Sequence, residues 1–192
     1  MDSFFLSRSQ KETLISQKAK AIWLTGLSGS GKTTLAQQLE IKLHKAGFLV
    51  KVLDGDLVRA TLSRGLGFSE EDRKKHIDHI AKINREFLDC GIIVINCFIS
   101  PNQTIRDNAR TIIGSDDFVE VYVNCPLKIC ETRDPKGLYA KARKGLIKNF
   151  TGIDSPYVPP KTPDIVIDTE LLSKQDAADK LFEYVLPLVT YP

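Results

Sequence analysis

The sequence predicts an α/β fold of the P-loop NTPase type, with a parallel sheet covered by helices on both faces. Five apolar runs alternate along the 192 residues with segments of helical periodicity. One of these runs, Ile92–Ile99, is apolar almost throughout, which is typical of a strand buried on both faces. The stretch Gly26–Thr34 fits the pattern G-x-x-x-x-G-K-[ST] and lies between an apolar run and a helix-forming segment. Together these features indicate a phosphate-binding loop between the first strand and its helix.

Each element follows from its own local pattern. Short runs rich in apolar and β-branched residues predict strands, and apolar residues spaced three or four apart predict helices. Ser69 and Ser173 have the side chains of helix N-caps, and Gly47 and Gly91 mark helix ends. The predicted strands are Ala21–Thr25, Leu49–Leu53, Ile92–Ile99, Phe118–Val123 and Ile165–Ile167; the predicted helices are Ser9–Lys18, Thr34–Lys45, Ser69–Cys90, Thr104–Ile113, a short one from Pro126 and a closing one from Ser173.

The chain is predicted to form one domain with a short arm. Residues 1–19 are expected to be an N-terminal extension that serves as a packing arm, and residues 20–192 the P-loop domain. Residues 133–163 interrupt the alternation of strands and helices. Long irregular stretches in compact domains are usually lids or binding loops, so we predict a basic lid here. Its basic side chains are Lys136, Lys141, Arg143, Lys144 and Lys148.

Composition narrows the class of partner. The net charge is only +3 and no run of five like charges occurs, so an extended nucleic-acid surface is not expected and a small-molecule partner is. The four cysteines and three histidines form no recognisable zinc pattern, and we expect reduced thiols. The first residues lack the character of a signal peptide, and no run of about eighteen apolar residues occurs. We therefore expect a cytoplasmic protein with no membrane partner.

The P-loop predicts ATP binding. Glycines allow backbone N–H groups to turn inward around phosphate oxygens, and the following helix directs its positive end to the same place. Lys32 is expected to reach the β- and γ-phosphates, and Thr33 to offer its hydroxyl to Mg²⁺. The predicted nucleotide-binding residues of this loop are Gly26, Leu27, Ser28, Gly29, Ser30, Gly31, Lys32, Thr33 and Thr34.

Two acids at the end of the second strand favour a kinase. Asp54 and Asp56 would lie on the ligand side of the sheet, where phosphoryl transfer to a hydroxyl needs a carboxylate near Mg²⁺ and the acceptor. Asp56 is the first candidate for this role and for the metal, and Asp54 the second. Asp-Gly-Asp is also good turn chemistry. No guanine-reading motif of a GTPase is present, and a motor ATPase would usually be longer.

Further motifs carry a family resemblance. They are, in order, Gly26–Thr34, Leu53–Asp56 with Arg59, Gly65–Ser69, Asp72–Arg73, Phe98–Pro101, Arg133–Tyr139 and Phe150–Tyr157. Over roughly residues 20–170, this ordered set resembles the adenylylsulfate kinase family and is far more specific than the P-loop alone. The resemblance implies transfer of the ATP γ-phosphate to the 3′-hydroxyl of adenosine 5′-phosphosulfate, with Mg²⁺ and commonly as a homodimer.

The resemblance also implies roles for individual residues. Phe68 and Phe150 would sandwich the adenine of the acceptor, while Arg59 and Arg73 would hold its phosphosulfate end. Ser100 matches the serine described in the family as a phosphorylated intermediate, although direct in-line transfer needs no such step. Arg133 is expected on the nucleotide; His76, Ile99, Ser100, Lys136 and Asp56 are expected on the acceptor.

One segment departs from the family pattern. Where the family has Glu-Asn-Ile-Arg-Arg, this chain has Lys75-His76-Ile77-Asp78-His79, and Asn102 stands where a Tyr is usual. Asp78 reverses a charge near an anion site. Two alternatives therefore stay open: a sister kinase acting on the 3′-hydroxyl of another 5′-activated nucleotide, such as a cytidine diphosphate derivative, and a catalytically silent nucleotide-binding subunit.

Overall fold

The structure, a computed structural model, describes residues 5–61, 65–67 and 69–191, with the side chains of residues 59–61 excepted. Its strands are β1 (Ala21–Thr25), β2 (Val50–Asp54), β3 (Ile93–Cys97), β4 (Phe118–Asn124) and β5 (Ile165–Asp168). Across the described residues they form one sheet in the order β2-β3-β1-β4-β5, and every pairing is parallel. The predicted parallel sheet is confirmed, with small shifts at the strand ends.

The helices flank this sheet. They are α1 (Arg8–Ile15), α2 (Lys32–Lys45), α3 (Gly55–Thr61), α4 (Glu70–Asp89), α5 (Gln103–Ile113), α6 (Leu127–Arg133), α7 (Leu138–Arg143) and α8 (Lys174–Val189). The predicted caps are confirmed, because the Ser69 side chain accepts from the N–H of Asp72 and the Ser173 side chain from that of Asp176. Within the described residues, no helix is both long and apolar enough to cross a bilayer.

Two short helices, α3 and α7, are absent from the sequence prediction. Asp54 Oδ1 accepts from the N–H of Asp56 at 3.0 Å, so the Asp-Gly-Asp segment opens a helix and does not form an isolated turn. The lid, predicted to be irregular, also contains a short helix, α7. The Asp134 carboxylate accepts from the N–H groups of Tyr139 and Ala140 at 3.1 and 3.0 Å, which satisfies the first free donors of α7.

The core lies on both faces of the sheet. Ile22 and Leu24 belong to the apolar cluster that includes α2 and α8, while Ala21 and Trp23 belong to the cluster that includes α4 and α5. All five residues of β1 are buried, in keeping with a central strand covered by helices on each side. This burial places β1, and the loop that follows it, at the centre of the molecule.

The N-terminal arm packs at the amino-terminal edge of the sheet. Gln17 is fully buried, and its Nε2 donates to the carbonyls of Leu49 and Gly91 at 3.0 and 2.8 Å. Its Oε1 accepts from the N–H of Leu49 at 2.7 Å. The Arg8 guanidinium donates to the Asp117 carboxylate at 2.9 Å. The arm therefore joins the ends of several elements on the side opposite the P-loop.

Loss of the Gln17 side chain should destabilise the fold without changing catalysis. Gln17→Ala leaves the Gly91 carbonyl, in a buried contact, and the backbone groups of Leu49 without their side-chain partner, which is expected to lower the free energy of unfolding by about 1–3 kcal/mol. Urea unfolding measures this change. The exposed Gln37 offers a matched control, and Gln37→Ala should leave stability nearly unchanged. Equal unfolding midpoints for the two variants would contradict the anchoring role of Gln17.

Candidate active site

A cavity of about 920 Å³ opens at the carboxyl-terminal edge of the sheet. Its wall combines the loop between β1 and α2, the residues that follow β2 and β3, the start of α4 and the lid. The predicted site residues on this wall are Ser28, Gly29, Gly31, Lys32, Thr33, Thr34, Asp54, Asp56, Arg73, His76, Ile99, Ser100, Arg133, Lys136 and Phe150. The cavity thus brings together most of the residues singled out from the sequence.

Other predicted residues lie elsewhere. Gly26 and Ser30 belong to the P-loop but not to the cavity wall, and Leu27 lines a second, shallower cleft beside the lid. Phe68 and the side chain of Arg59 lie outside the described residues, so their predicted contacts with the acceptor stay predictions.

Two glycines of the P-loop are required, Gly26 by close packing and Gly31 by its backbone conformation. A Cβ on Gly26 would lie 2.6 Å from the carbonyl oxygen of Val123, and this distance is too short for any side chain. Gly31 has φ 104°, a left-handed conformation that L side chains rarely adopt, and it is the residue from which α2 begins. Because of this backbone, α2 starts at Lys32, earlier than the predicted Thr34, and its amino terminus faces the cavity.

Lys32 lies inside the loop. Its Nζ donates to the carbonyls of Gly26 and Leu27 at 2.8 and 2.7 Å, and the side chain is buried. Burial lowers the pKa of Lys32 to about 8, and the nearby Lys136 charge acts in the same direction. A phosphate bound in the loop would reverse this effect, because an anion favours the charged form of the amine.

Thr33 and the two acids form the polar floor of the site. Thr33 Oγ1 donates to Asp54 Oδ2 at 2.9 Å. The Asp56 carboxylate instead forms an ion pair with Lys136 of the lid, and both of these side chains are more than half exposed. The geometry therefore separates the two acids: Asp54 is joined to the P-loop and Asp56 to the lid.

Ser100 lies directly after the predicted extent of the third strand and has an unusual backbone. Its φ of 44° is left-handed, and its side chain is nearly inaccessible although the residue borders the cavity. Trp23 Nε1 donates to Ser100 Oγ at 3.0 Å, so the hydroxyl is engaged with the core. The structure thus shows a structural environment for Ser100, and its phosphorylation stays a prediction.

The residues predicted to bind the acceptor also line the cavity, apart from those outside the described part of the chain. Arg73 Nη2 donates to the carbonyl of Asn149 at 2.5 Å, which links α4 to the lid. The Phe150 ring meets the Tyr139 ring edge-on at 5.0 Å between centroids, and the buried His76 ring meets Phe98 at 5.7 Å. Phe150 therefore has one side supported by the lid while it borders the cavity.

The family departure at Asp78 falls away from the cavity. Asp78 Oδ1 accepts from Asn108 Nδ2 at 2.5 Å, which ties α4 to α5. Among the described residues, Asp78 and His79 do not line the cavity, whereas His76 does. The reversed charge is consequently used between helices, and His76 is the departure that lines the cavity.

Thr169 is a site residue that the sequence reasoning missed. Its Oγ1 donates to the carbonyl of Ser30 at 2.8 Å and lies 3.1 Å from Arg133 Nη1. Arg133 Nη2 also donates to the Thr169 carbonyl at 2.6 Å. A signal was present, since Thr169 follows the predicted strand Ile165–Ile167 and the carboxyl ends of parallel strands share one edge.

The oxygen donors beside the P-loop suit a hard cation. The hydroxyl of Thr33 and the carboxylate of Asp54 are oxygen donors, which Mg²⁺ prefers. In the part of the chain that the structure describes, no cluster of three or more His, Cys, Asp or Glu forms a metal site. Burial raises the pKa of the Cys97 and Cys130 thiols to about 12, so neither is a thiolate at neutral pH.

Comparison with known proteins identifies the family. The model of the adenylylsulphate kinase family matches residues 18–168. The chain belongs to the adenylylsulfate kinase family. An adenylyl-sulfate kinase of Bacteroides thetaiotaomicron is 53% identical over 184 residues, which is 96% of this chain and 92% of that protein. The resemblance inferred from the ordered motifs is thereby confirmed.

Solved structures of the family have the same fold. The Mycobacterium tuberculosis APS kinase, solved in complex with AMPPNP and APS, is 43% identical with a TM-score of 0.84, over 88% of this chain and 98% of that chain. A hexameric APS kinase from Thiobacillus denitrificans is 28% identical with a TM-score of 0.67, over 90% of this chain and 29% of that chain. The predicted P-loop kinase fold is confirmed by these neighbours.

Nucleotide binding should take up a proton above the pKa of Lys32. The amine is charged near pH 7, so ATP changes nothing there; near pH 9 it is mostly neutral, and bound phosphates restore its charge. We expect an uptake that approaches one proton per ATP at about pH 9 and an affinity that falls as pH rises through about 8. Calorimetry in two buffers of different ionisation enthalpy measures this uptake.

Lys42 provides the control for this experiment. It lies at the far end of α2 in an ion pair with Asp179, so Lys42→Met should preserve the pH-dependent uptake. A proton uptake that is the same at both pH values would contradict the assignment to Lys32.

Proposed function

We propose that this chain transfers the γ-phosphate of ATP to the 3′-hydroxyl of adenosine 5′-phosphosulfate, giving 3′-phosphoadenylyl sulfate. The observation that carries the proposal is a single cavity with the P-loop at one end and the acceptor-side residues of the family at the other. The M. tuberculosis relative, solved with an ATP analogue and APS, supports the same pair of substrates. Transfer then requires only that both nucleotides be held in line.

The P-loop holds the donor. Lys32 Nζ exchanges its two carbonyl acceptors for oxygens of the β- and γ-phosphates, and the backbone N–H groups at the start of α2 bind the same oxygens. Arg133, which contacts Thr169, is placed beside the loop and adds a second positive charge. These charges stabilise the phosphoryl group as its bond to ADP weakens.

Thr33 and Asp54 are the residues that would hold magnesium. Their hydroxyl and carboxylate oxygens are already adjacent, which favours Asp54 over Asp56 as the carboxylate beside the metal. When bound, Mg²⁺ neutralises charge on the β- and γ-phosphates. Asp56 is then available to accept a hydrogen bond from the 3′-hydroxyl and to orient it for in-line attack.

The lid binds the acceptor and excludes water. Phe150 offers an aromatic face to the adenine, and Arg73 places a cation near the phosphosulfate. Lys136 contacts Asp56, so movement of the lid changes the charge next to the acceptor hydroxyl. A closed lid would keep water from competing with that hydroxyl for the phosphoryl group.

The remaining properties are proposed from the family. We infer a homodimer in the cytoplasm, with residues 1–19 as an arm of the kinase domain formed by residues 20–192. The APS kinase from T. denitrificans is hexameric, so a hexamer is an alternative that the test must separate from the dimer. Sedimentation equilibrium at assay concentrations would distinguish a dimer from a monomer or a hexamer.

A coupled assay of ADP release tests the proposed function. With saturating Mg·ATP, adenosine 5′-phosphosulfate should give rapid turnover, whereas a 5′-activated cytidine diphosphate derivative should be poor. Stacking on an aromatic ring contributes about 1–3 kcal/mol for any base. The difference in turnover between the two compounds must therefore come from hydrogen bonds to the edge of the base and from contacts with the 5′-group. Turnover with the cytidine compound alone would preserve the reaction class but replace the substrate. ATP binding without turnover of either compound would support a silent subunit.

The two acids should differ in their response to magnesium. Asp54→Asn is expected to raise the Mg²⁺ concentration needed for half-maximal rate by about tenfold or more, because it weakens a metal-side ligand. Asp56→Asn should lower kcat by about a hundredfold or more with the Mg²⁺ requirement unchanged. Asp116→Asn, an exposed acid at the opposite edge, serves as the control. If only Asp56→Asn altered the Mg²⁺ requirement, the assignment would be reversed.

A further inference from the structure

A buried polar network lies behind the Ile99–Pro101 turn, on the side away from the cavity. Arg106 of α5 is only 1% exposed, which is rare for a guanidinium. Its Nη1 donates to the carbonyl of Ser100 at 2.8 Å. Ser100 is the residue with the left-handed φ of 44°. A buried cation therefore binds the carbonyl of the one residue in this turn whose conformation is unfavourable for an L side chain.

The carbonyls of the two residues that flank Ser100 also accept hydrogen bonds, each from a different element. Thr25 Oγ1, at the end of β1, donates to the carbonyl of Ile99 at 2.6 Å. The N–H of Val158, at the end of the lid, donates to the carbonyl of Pro101 at 2.8 Å. Consecutive residues of the turn are thus bound by the strand before the P-loop, by α5 and by the lid. Ile99, Ser100 and Pro101 all line the cavity.

The charge of Arg106 is balanced by an acid that does not face the cavity. Glu120 of β4 is 3% exposed, and its Oε1 lies 3.0 Å from Arg106 Nε. Glu120 Oε2 lies 3.7 Å from Arg110, which in turn lies 3.3 Å from Asp164. Burial raises the pKa of Glu120, and the two arginines oppose this shift. The network therefore contains two cations and two acids.

This ion pair is poorly suited to stabilise the fold. Among the described atoms, Arg106 Nε and Glu120 Oε1 have no aligned hydrogen-bond partner despite their short separation. Desolvation of two buried charges offsets much of their attraction, and a well-packed apolar pair of similar volume is often at least as stable. The ion pair with Glu120 therefore does not explain why Arg106 is buried here, and its hydrogen bond to the Ser100 carbonyl points to its role.

We propose that Arg106 is a positioning residue for the acceptor nucleotide, holding the Ile99–Pro101 turn against the cavity through the Ser100 carbonyl while Glu120 balances its charge. Arg106 touches neither substrate, and its effect passes through the backbone of the turn. This inference rests on the proposed function, because it assigns the turn to the acceptor half of that same site.

Steady-state kinetics of Arg106→Gln tests the proposal. The KM for adenosine 5′-phosphosulfate should rise by about tenfold or more while the KM for ATP changes by less than about twofold. Arg110→Gln is the matched control, because Arg110 lies one turn further along α5 and shares Glu120, while its side-chain hydrogen bond among the described residues goes to Asp164. Its acceptor KM should stay close to that of the wild type. Equal changes in both KM values for Arg106→Gln would overturn the proposal.

A double variant separates positioning from folding. Arg106→Met with Glu120→Leu removes both buried charges, so the thermal midpoint should recover even where Arg106→Gln folds poorly. The acceptor KM should nevertheless stay raised, because the Ser100 carbonyl loses its short contact with Arg106 and keeps only the longer one, at 3.5 Å, with Thr25 Oγ1. An acceptor KM that recovers with stability would show a merely structural role. Failure of the wild type to turn over adenosine 5′-phosphosulfate would instead contradict the proposed function itself.

Discussion

The parallel pairing of β1, β2 and β3 determines where the P-loop, the two acids and the Ile99–Pro101 turn lie. Asp54 pairs with Cys97 in register, and Cys97 pairs with Leu24, so the three strands end at nearly the same height. The loop after each strand therefore reaches the same edge of the sheet. If the pairing of one strand shifted by one residue, its side chains would point to the other face of the sheet, and the acids would be separated from the P-loop.

Local chemistry explains which features could be predicted from the sequence. The P-loop and the caps at Ser69 and Ser173 depend on residues within a few positions of one another, so their patterns are visible in the chain. The role of Thr169 depends instead on the carbonyl of Ser30, which is distant in the chain and which the strand order brings close. Arg106 binds the carbonyl of the nearby Ser100, but its burial against Glu120 of β4 follows from packing that no local pattern reveals. The helix after Asp54 could not be predicted for a different reason: the sequence Asp-Gly-Asp is compatible both with a turn and with the start of a helix.

The lid is held to the floor of the site by a contact that is easily exchanged. Lys136 and Asp56 are both more than half exposed, and ion pairs of this kind contribute only about 0–1 kcal/mol to stability. An anion entering the cavity can compete for Lys136 at little cost. Thr169 and Arg133 differ, because several hydrogen bonds tie them to the P-loop and to each other. The site thus combines a firmly supported P-loop with an adjustable contact between the lid and Asp56.

The position of β1 at the centre of the sheet constrains how the chain reaches its native state. β1 is an early segment, yet it pairs with β3 and β4, while β2, the next strand along the chain, pairs with β3. Contacts between segments distant in sequence slow folding, because a long loop must close before they form. A nascent chain that ends before Tyr122 therefore leaves an edge of this apolar strand incompletely paired, and an unpaired apolar edge is prone to aggregation. The sole tryptophan, Trp23, lies in that strand, so its fluorescence would report the moment when synthesis allows the sheet to close.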